Sequence, residues 1–210
     1  GSDTFLNNST GFVFLQSNNF AIRSAGGTNK VVSGGDEVTL FHGASGKLVT
    51  TSSGINVTGG IRLGGNNAAN ELDDYEEGSF SPTMTFGGGN TNMSLGSMDG
   101  KYTKIGRQVF CCIRFRLNGK GDSTGLLEFQ GLPFTVGDVM ATTAVQGGFF
   151  IGFLSGHSSG IHEVAAYPWE DTTVLKVYKR ANENSAPAFF EDSDIVSTFD
   201  GRISFFFMVA

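Results

Sequence analysis

Two segments of the sequence carry the spacing of a serine nucleophile. Residues 121–125 (GDSTG) and 156–160 (GHSSG) both satisfy G-x-S-x-G. In hydrolases this spacing works on a strained turn between a strand and a helix, with a histidine far downstream. No helical pattern follows either segment, and a chain rich in glycine and serine produces such matches by chance. We therefore predict two loops and no catalytic residue.

A second candidate is the acidic segment Glu71–Gly78 (ELDDYEEG), which holds five of the 20 acidic residues. Carboxylate pairs act as acid and base in glycoside hydrolysis, and carboxylate oxygens also bind Ca²⁺. Catalytic pairs are held apart on a rigid groove, which a run of neighbours does not provide. The favoured interpretation is a solvated interdomain linker. A cation site at Asp73, Asp74, Glu76 and Glu77 stays open as an alternative.

The region around residues 157–169 offers histidines and aromatic rings. His157 and His162 are five positions apart, which suits neither one helix face nor one strand face as a metal site. A metal site formed by three copies of one histidine around a symmetry axis stays open as an alternative. Tyr167 and Trp169 flank a proline, and exposed amphipathic rings beside polar groups are typical of sugar-binding surfaces. We name these four residues as candidate receptor-binding residues, although core packing is the favoured interpretation for the two rings.

The cysteines are not expected to form a site. Cys111 and Cys112 are adjacent, and neighbours on a strand point to opposite faces, so they are poorly placed to bond to each other. There is no disulfide framework and no CxxC pair. We expect Cys111 in the core and Cys112 as an ordinary thiol, and we predict no cofactor.

Composition and charge exclude several classes of protein. The formal net charge of −6 would be −1 without the five carboxylates of the acidic segment, so the acidity is local. The 14 basic residues are scattered, which argues against a nucleic-acid partner. No stretch approaches the roughly 18 apolar residues of a membrane span, so no membrane insertion is expected.

Gly1 and Ser2 resemble the remainder of a cleaved tag, and we expect a longer protein before residue 1.

The chain divides into two unlike parts at the acidic segment. All four prolines, the single tryptophan, both cysteines and 15 of the 20 phenylalanines follow it. The first 70 residues are short β-branched pieces separated by glycine-rich turns, which predicts short strands without helices. Their large apolar side chains are too few for a core of their own. We expect these strands to share a core with identical chains around an axis.

The second part has longer segments with period-2 alternation. The alternating sets are Phe80 to Phe86, Val109 to Leu117 and Ile203 to Val209; the last is apolar on both faces, which predicts burial on both. Further strands are predicted at 126–129, 141–146, 149–154, 161–167, 173–179 and 195–199. The fold class predicted is all-β, with an antiparallel, jelly-roll-like sandwich as the second domain.

Several motifs also resemble a known family. Residues 38–59 (VTLFHGASGKLVTTSSGINVTG) resemble the repeat of bacteriophage tail fibre shafts. The acidic segment with residues 79–83 (SFSPT), then 100–106 (GKYTKIG) and 131–134 (GLPF), is similar to the opening of C-terminal fibre heads. The order of these motifs over residues 38–134 is more specific than any one of them. Residues 135–200 match no motif of the family.

The resemblance implies a parallel homotrimer at the distal end of a virion fibre. We expect an intertwined β shaft at residues 1–70, the acidic linker at 71–78 and a receptor-binding head at 79–210. The implied partners are a bacterial surface glycan or outer-membrane protein, and proximal tail fibre or baseplate proteins. The function expected is adhesion without catalysis. A polysaccharide depolymerase and a purely structural fibre remain as alternatives.

Overall fold

The protein is described by a computed structural model, which covers residues 18–138 and 147–209. The chain divides into two compact units, with the boundary between Asp73 and Asp74. Every named element is a strand except two 3₁₀ turns, Ala68–Asn70 and Asp192–Asp194. The fold is all-β and all its sheets are antiparallel. Within the described ranges, no helix is long and apolar enough to cross a membrane.

The first unit is built from short strands in chain order. They are β1 (Asn19–Arg23), β2 (Asn29–Gly34), β3 (Glu37–His42), β4 (Ser45–Thr51), β5 (Gly54–Val57), β6 (Ile61–Arg62) and β7 (Glu71–Leu72). The first five form one sheet in the order β1-β2-β3-β4-β5. Tight reversals join them, and Gly35 and Gly43 adopt positive φ angles of 60° and 61° at two of these turns.

One face of this sheet carries an aliphatic row that runs across all five strands. Its members are direct register partners from strand to strand: Ile22, Val31, Leu40, Leu48 and Val57. Ile55 lies two residues before Val57 and therefore shares this face; its side chain is 65% exposed. No described residue of the first unit, from Asn18 to Asp73, is buried. The apolar face, defined by this row and Ile55, has no second layer within the described first unit.

The acidic segment is mostly strand rather than free linker. Glu71 and Leu72 form β7, which pairs with β6, and Arg62 holds Glu71 at 2.9 Å. From Tyr75 onward the segment belongs to β8, which pairs with β10 of the second unit. Asp73, Glu76 and Glu77 are exposed, as expected of a solvated segment, but most of the segment is strand where a linker was expected. The structure also gives a cation or a hydroxyl partner to four of the five carboxylates, namely those of Glu71, Asp74, Glu76 and Glu77.

The second unit contains longer strands. They are β8 (Tyr75–Phe80), β9 (Thr83–Phe86), β10 (Ser94–Ile105), β11 (Gln108–Gly119), β12 (Leu127–Gln130), β13 (Gly147–His157), β14 (Glu163–Trp169), β15 (Val174–Arg180), β16 (Ala188–Phe189) and β17 (Ile195–Met208). One sheet has the order β13-β17-β11-β10-β8. The other has the order β14-β15-β12-β9, and β16 adds to it beside β15.

These two sheets bury a common core. Phe115 of β11 packs against Phe129 of β12 with ring centroids 5.0 Å apart, and Phe199 of β17 lies 5.1 Å from Phe115. All residues of the buried apolar cluster lie between Met84 and Phe207. The second unit therefore has its own hydrophobic interior, whereas the described first unit has none.

The alternation predicted for the second unit is confirmed in β11 and β17. Val109, Cys111, Ile113, Phe115 and Leu117 are buried, and the residues between them are exposed. Ile203, Phe205 and Phe207 are buried in the same way. The intervening positions Ser204, Phe206 and Met208 are only half-buried, so the second face of β17 is not closed.

Several strands differ from the sequence-based prediction. The alternating set Phe80 to Phe86 is divided between β8, which ends at Phe80, and β9, which begins at Thr83 and belongs to the other sheet. The predicted strands at 195–199 and 203–209 form one continuous strand, β17 (Ile195–Met208), because residues 200–202 between them also pair with β11. Strand β10 was not predicted, since its first half is rich in serine and glycine and lacks an apolar stripe. The predicted strand at 141–146 lies outside the described residues.

Candidate functional site: an aromatic row beside a polar strip

Strand β14 turns Tyr167 and Trp169 toward the outer face of its sheet. Its alternate residues Ala166 and Pro168 are buried, so the two rings lie on the side away from the core. Proline is tolerated here because β14 is the edge strand of its sheet. Trp169 is 39% exposed. The favoured expectation of core packing is therefore wrong for these two rings, and their role in receptor binding stays a prediction.

Two further rings extend this pair into an aromatic row. We define the row as Trp169, Tyr167, Tyr178 and Phe189, contributed by β14, β15 and β16. Successive ring centroids are 5.7 Å, 4.8 Å and 5.2 Å apart. Phe189 at the other end is 48% exposed. The row is continuous, and its two ends are its most open parts.

The two tyrosines at the centre of the row act as one unit. Their rings stack at an interplanar angle of 15°, and their hydroxyl oxygens lie 2.6 Å apart. Burial raises the pKa of Tyr178, and its hydrogen bond with Tyr167 raises this pKa further. The Tyr178 hydroxyl therefore stays protonated and can donate a hydrogen bond as well as accept one.

A polar strip lies beside the row on the same outer face, and we define it as Glu128, Gln130 and Lys176. Glu128 of β12 and Tyr167 of β14 are both register partners of Lys176. Gln130 Nε2 donates to Glu128 Oε2 at 3.2 Å. Lys176 Nζ lies 3.6 Å from the centroid of the Trp169 ring, a cation–π contact. Strip and row thus meet at Lys176.

The two candidate histidines lie away from the centre of the row. His157 ends β13 in the other sheet, and its Nδ1 is 3.1 Å from the carbonyl oxygen of Ser158. His162 precedes β14, at the end opposite Trp169, and its backbone N–H donates to the carbonyl of Arg180. The structure therefore brings Tyr167 and Trp169 together and adds neither histidine to them.

Three of the four candidate cation ligands of the acidic segment, namely Asp74, Glu76 and Glu77, have other partners in the chain. Lys104 forms an ion pair with Asp74, and the hydroxyl of Tyr102 donates to Glu76. This hydrogen bond raises the pKa of Tyr102. No group of three or more potential metal ligands occurs within residues 18–138 and 147–209.

Neither serine motif lies on a turn from a strand to a helix. Ser123 follows β11 in a loop, where its Oγ accepts the backbone N–H of Thr91 at 2.9 Å. Ser158 follows β13, and its backbone N–H donates to the carbonyl of Asp194. The geometry that activates a serine nucleophile is thus missing at both positions as the structure describes them.

Sequence reasoning did not find Tyr178, Phe189 or the polar strip. Tyr178 was placed within a predicted strand, but its pairing with Tyr167 depends on the register between β14 and β15. The alternation in VLKVYKR puts Lys176, Tyr178 and Arg180 on one polar face. This pattern could have indicated from the sequence that Tyr178 lies on the outer face. Phe189 lies in a strand of only two residues, too short to recognise by pattern.

Comparison with known proteins yields one structural relative to report. No family model matches the chain, and no curated protein matches it. The crystal structure of the Dettilon tailspike protein is distantly similar, with a TM-score of 0.49 and 18% sequence identity. The similarity covers 64% of this chain and 24% of the tailspike chain, so it spans about a quarter of that protein.

Proposed function

We propose that this chain is the distal end of a bacteriophage tail fibre. Three copies associate, and the second unit attaches the virion to the surface of a bacterium without catalysing a reaction. The ordered motifs in residues 38–134 support this proposal at the level of sequence. The partners proposed are a surface glycan or outer-membrane protein at the tip and proximal fibre or baseplate proteins at the other end.

The observation that carries the proposal is the apolar face of the first unit. A sheet that puts Ile22, Leu40 and Leu48 into one row has the pattern of a core layer. No second layer packs on this row within the described part of the first unit. Covering an aliphatic side chain contributes roughly 1.5–3 kcal/mol. Sister chains around a common axis would bury three such rows against one another, which supports a homotrimeric shaft.

The second unit is suited to the recognition role. Its own core, which includes Phe115, Phe129 and Phe205, holds the two sheets without help from another chain. The outer face of one sheet then presents the aromatic row to solvent. Three copies on one stalk would bind together, because attachment of one copy raises the effective concentration of the other two near the surface. Adhesion would then be strong although the affinity of each single site is weak.

Three measurements test the proposal. Light scattering at micromolar concentration is expected to give three times the chain mass, and a monomeric mass would refute the shaft assignment. Fluorescently labelled protein is expected to bind susceptible cells and not resistant mutants of the same strain. Incubation with host capsule or lipopolysaccharide is expected to release no oligosaccharide, and release would instead identify a depolymerase.

A further inference from the structure

We propose that the aromatic row and the polar strip together bind a neutral pyranose oligosaccharide. Sugar C–H surfaces pack against the rings, and Glu128, Gln130 and Lys176 hold the sugar hydroxyls. The inference rests on the proposed adhesive function and deepens it, because it names the ligand class and the residues that select it.

The length of the row points to a chain of sugars rather than one. Three steps of 5.7 Å, 4.8 Å and 5.2 Å separate Trp169 from Phe189. A single pyranose ring is about as wide as one aromatic ring and spans at most one step. The exposed ends, at 39% and 48%, offer the most open aromatic surface for packing. The tyrosine pair between them contributes ring edges and hydroxyl groups.

The polar strip offers the hydrogen bonds that sugar hydroxyls require. Glu128 is half-buried, and its contact with Gln130 is its only hydrogen bond in the described part of the chain. The carboxylate therefore keeps acceptor positions open. Lys176 points its ammonium at Trp169 instead of pairing with Glu128, although the two are register partners. A hydroxyl both donates and accepts, so it can bridge an acceptor such as Glu128 and a donor such as Lys176.

Charge balance on this face selects the neutral class. Glu128 and Lys176 carry opposite charges on neighbouring strands. At the far end of β14, Glu163 and Arg180 are 3.7 Å apart and also balance each other. The ammonium of Lys176 would attract an acidic sugar and the carboxylate of Glu128 would repel it. Such a sugar would therefore gain no net electrostatic attraction.

The experiment uses the whole chain in its assembled state. Binding is first scored on an array of bacterial oligosaccharides that includes neutral and acidic members. Neutral pyranose hits are then titrated by intrinsic fluorescence, which reports on this surface directly because Trp169 is the only tryptophan. Glu128→Gln and Lys176→Met are the test variants. Phe150→Ala is the matched control, since Phe150 is 65% exposed on the other sheet.

We expect neutral hits whose Kd rises about tenfold in each test variant and stays within about twofold in the control. Thermal melting of each variant checks that the fold is retained. Hits confined to acidic sugars, or equal effects of Phe150→Ala and Glu128→Gln, would overturn the inference. Loss of binding after protease treatment of the cells would identify a protein receptor and would overturn it as well.

Cell adhesion separates this inference from the proposed function. A wild-type chain that adheres to susceptible cells but binds no neutral oligosaccharide would leave the adhesive function standing and overturn the ligand class. A chain that binds the array but no cells would leave the ligand class standing and overturn the adhesive function. Failure of both assays would overturn both.

Discussion

Tyr167 and Tyr178 face each other across two neighbouring strands, with ring planes 15° apart and hydroxyl oxygens separated by 2.6 Å. This pair fixes the middle of the aromatic row. The ring centroids are 4.8 Å apart, so each ring packs one face against the other. Trp169 and Phe189 are then held at defined distances on either side.

Removing one hydroxyl of this pair should cost stability without disturbing the rings. Tyr178→Phe keeps the stacking and loses the hydrogen bond to Tyr167. We expect a loss of about 1 kcal/mol in the free energy of unfolding at neutral pH, the usual net worth of such a bond. Urea denaturation followed by circular dichroism measures it. An unchanged midpoint would mean that water replaces the lost partner.

The same pair predicts a dependence of stability on alkaline pH. The folded pKa of Tyr178 is raised above 10.0, chiefly by burial. A group with a raised folded pKa contributes stability that is complete below the unfolded value and is lost as pH rises toward the folded value. The advantage of wild type over Tyr178→Phe should therefore shrink above about pH 10. Denaturation midpoints at pH 8, 9, 10 and 11 check this trend, and a constant difference would contradict it.

The two cysteines should differ sharply in reactivity. Cys111 is fully buried in β11, and burial raises its pKa to about 12, so very little thiolate forms at pH 8. Cys112 points to the outer face and is exposed. We expect iodoacetamide at pH 8 to alkylate Cys112 alone in the native protein and both residues in urea. Peptide mass spectrometry distinguishes the two sites, and native labelling of Cys111 would show that β11 opens.

Much of the second unit was predictable because its strands alternate in a simple way. In β11, Val109 and Cys111 lie on the buried face, and their immediate neighbours lie on the exposed face. The two-residue period of apolar side chains is therefore enough to predict which face is buried. The candidate site depends on something that period does not encode. Tyr178 meets Tyr167 only through the register of β14 on β15, and such pairings between segments arise from tertiary packing.

The acidic segment illustrates the opposite difficulty. Its five carboxylates predicted a solvated linker because charge dominates its composition. Residues of this segment also alternate between the two faces of a strand, because Glu76, Gly78 and Phe80 share one face of β8. Lys104 and Tyr102 of β10 lie on that same face and bond to Asp74 and Glu76. The partners are about 30 residues away in sequence, so no local pattern reveals them.

Lys104 should be far more important for stability than Lys101 on the same strand. Lys104 is buried, pairs with Asp74 and lies 5.5 Å from the centroid of the Phe134 ring. Lys101 is exposed and bonds only to Ser79 in the described structure. We expect Lys104→Ala to lower the free energy of unfolding by about 1–3 kcal/mol and Lys101→Ala by less than about 0.5 kcal/mol. Thermal or urea denaturation of both variants makes the comparison, and equal effects would contradict it.

Neighbouring residues of β5 provide a direct test of the apolar face. Ile55 lies on that face, and Asn56 lies on the opposite one. In a single chain both positions are exposed, so an aspartate at either should change stability by no more than about 0.5 kcal/mol. In a trimer that closes this face, Ile55→Asp would bury three carboxylates near one axis, and each unpaired buried charge is costly. We therefore expect Ile55→Asp to shift the mass measured by light scattering from trimer to monomer, whereas Asn56→Asp remains trimeric. Trimers that tolerate both substitutions equally would place the subunit contact on another surface.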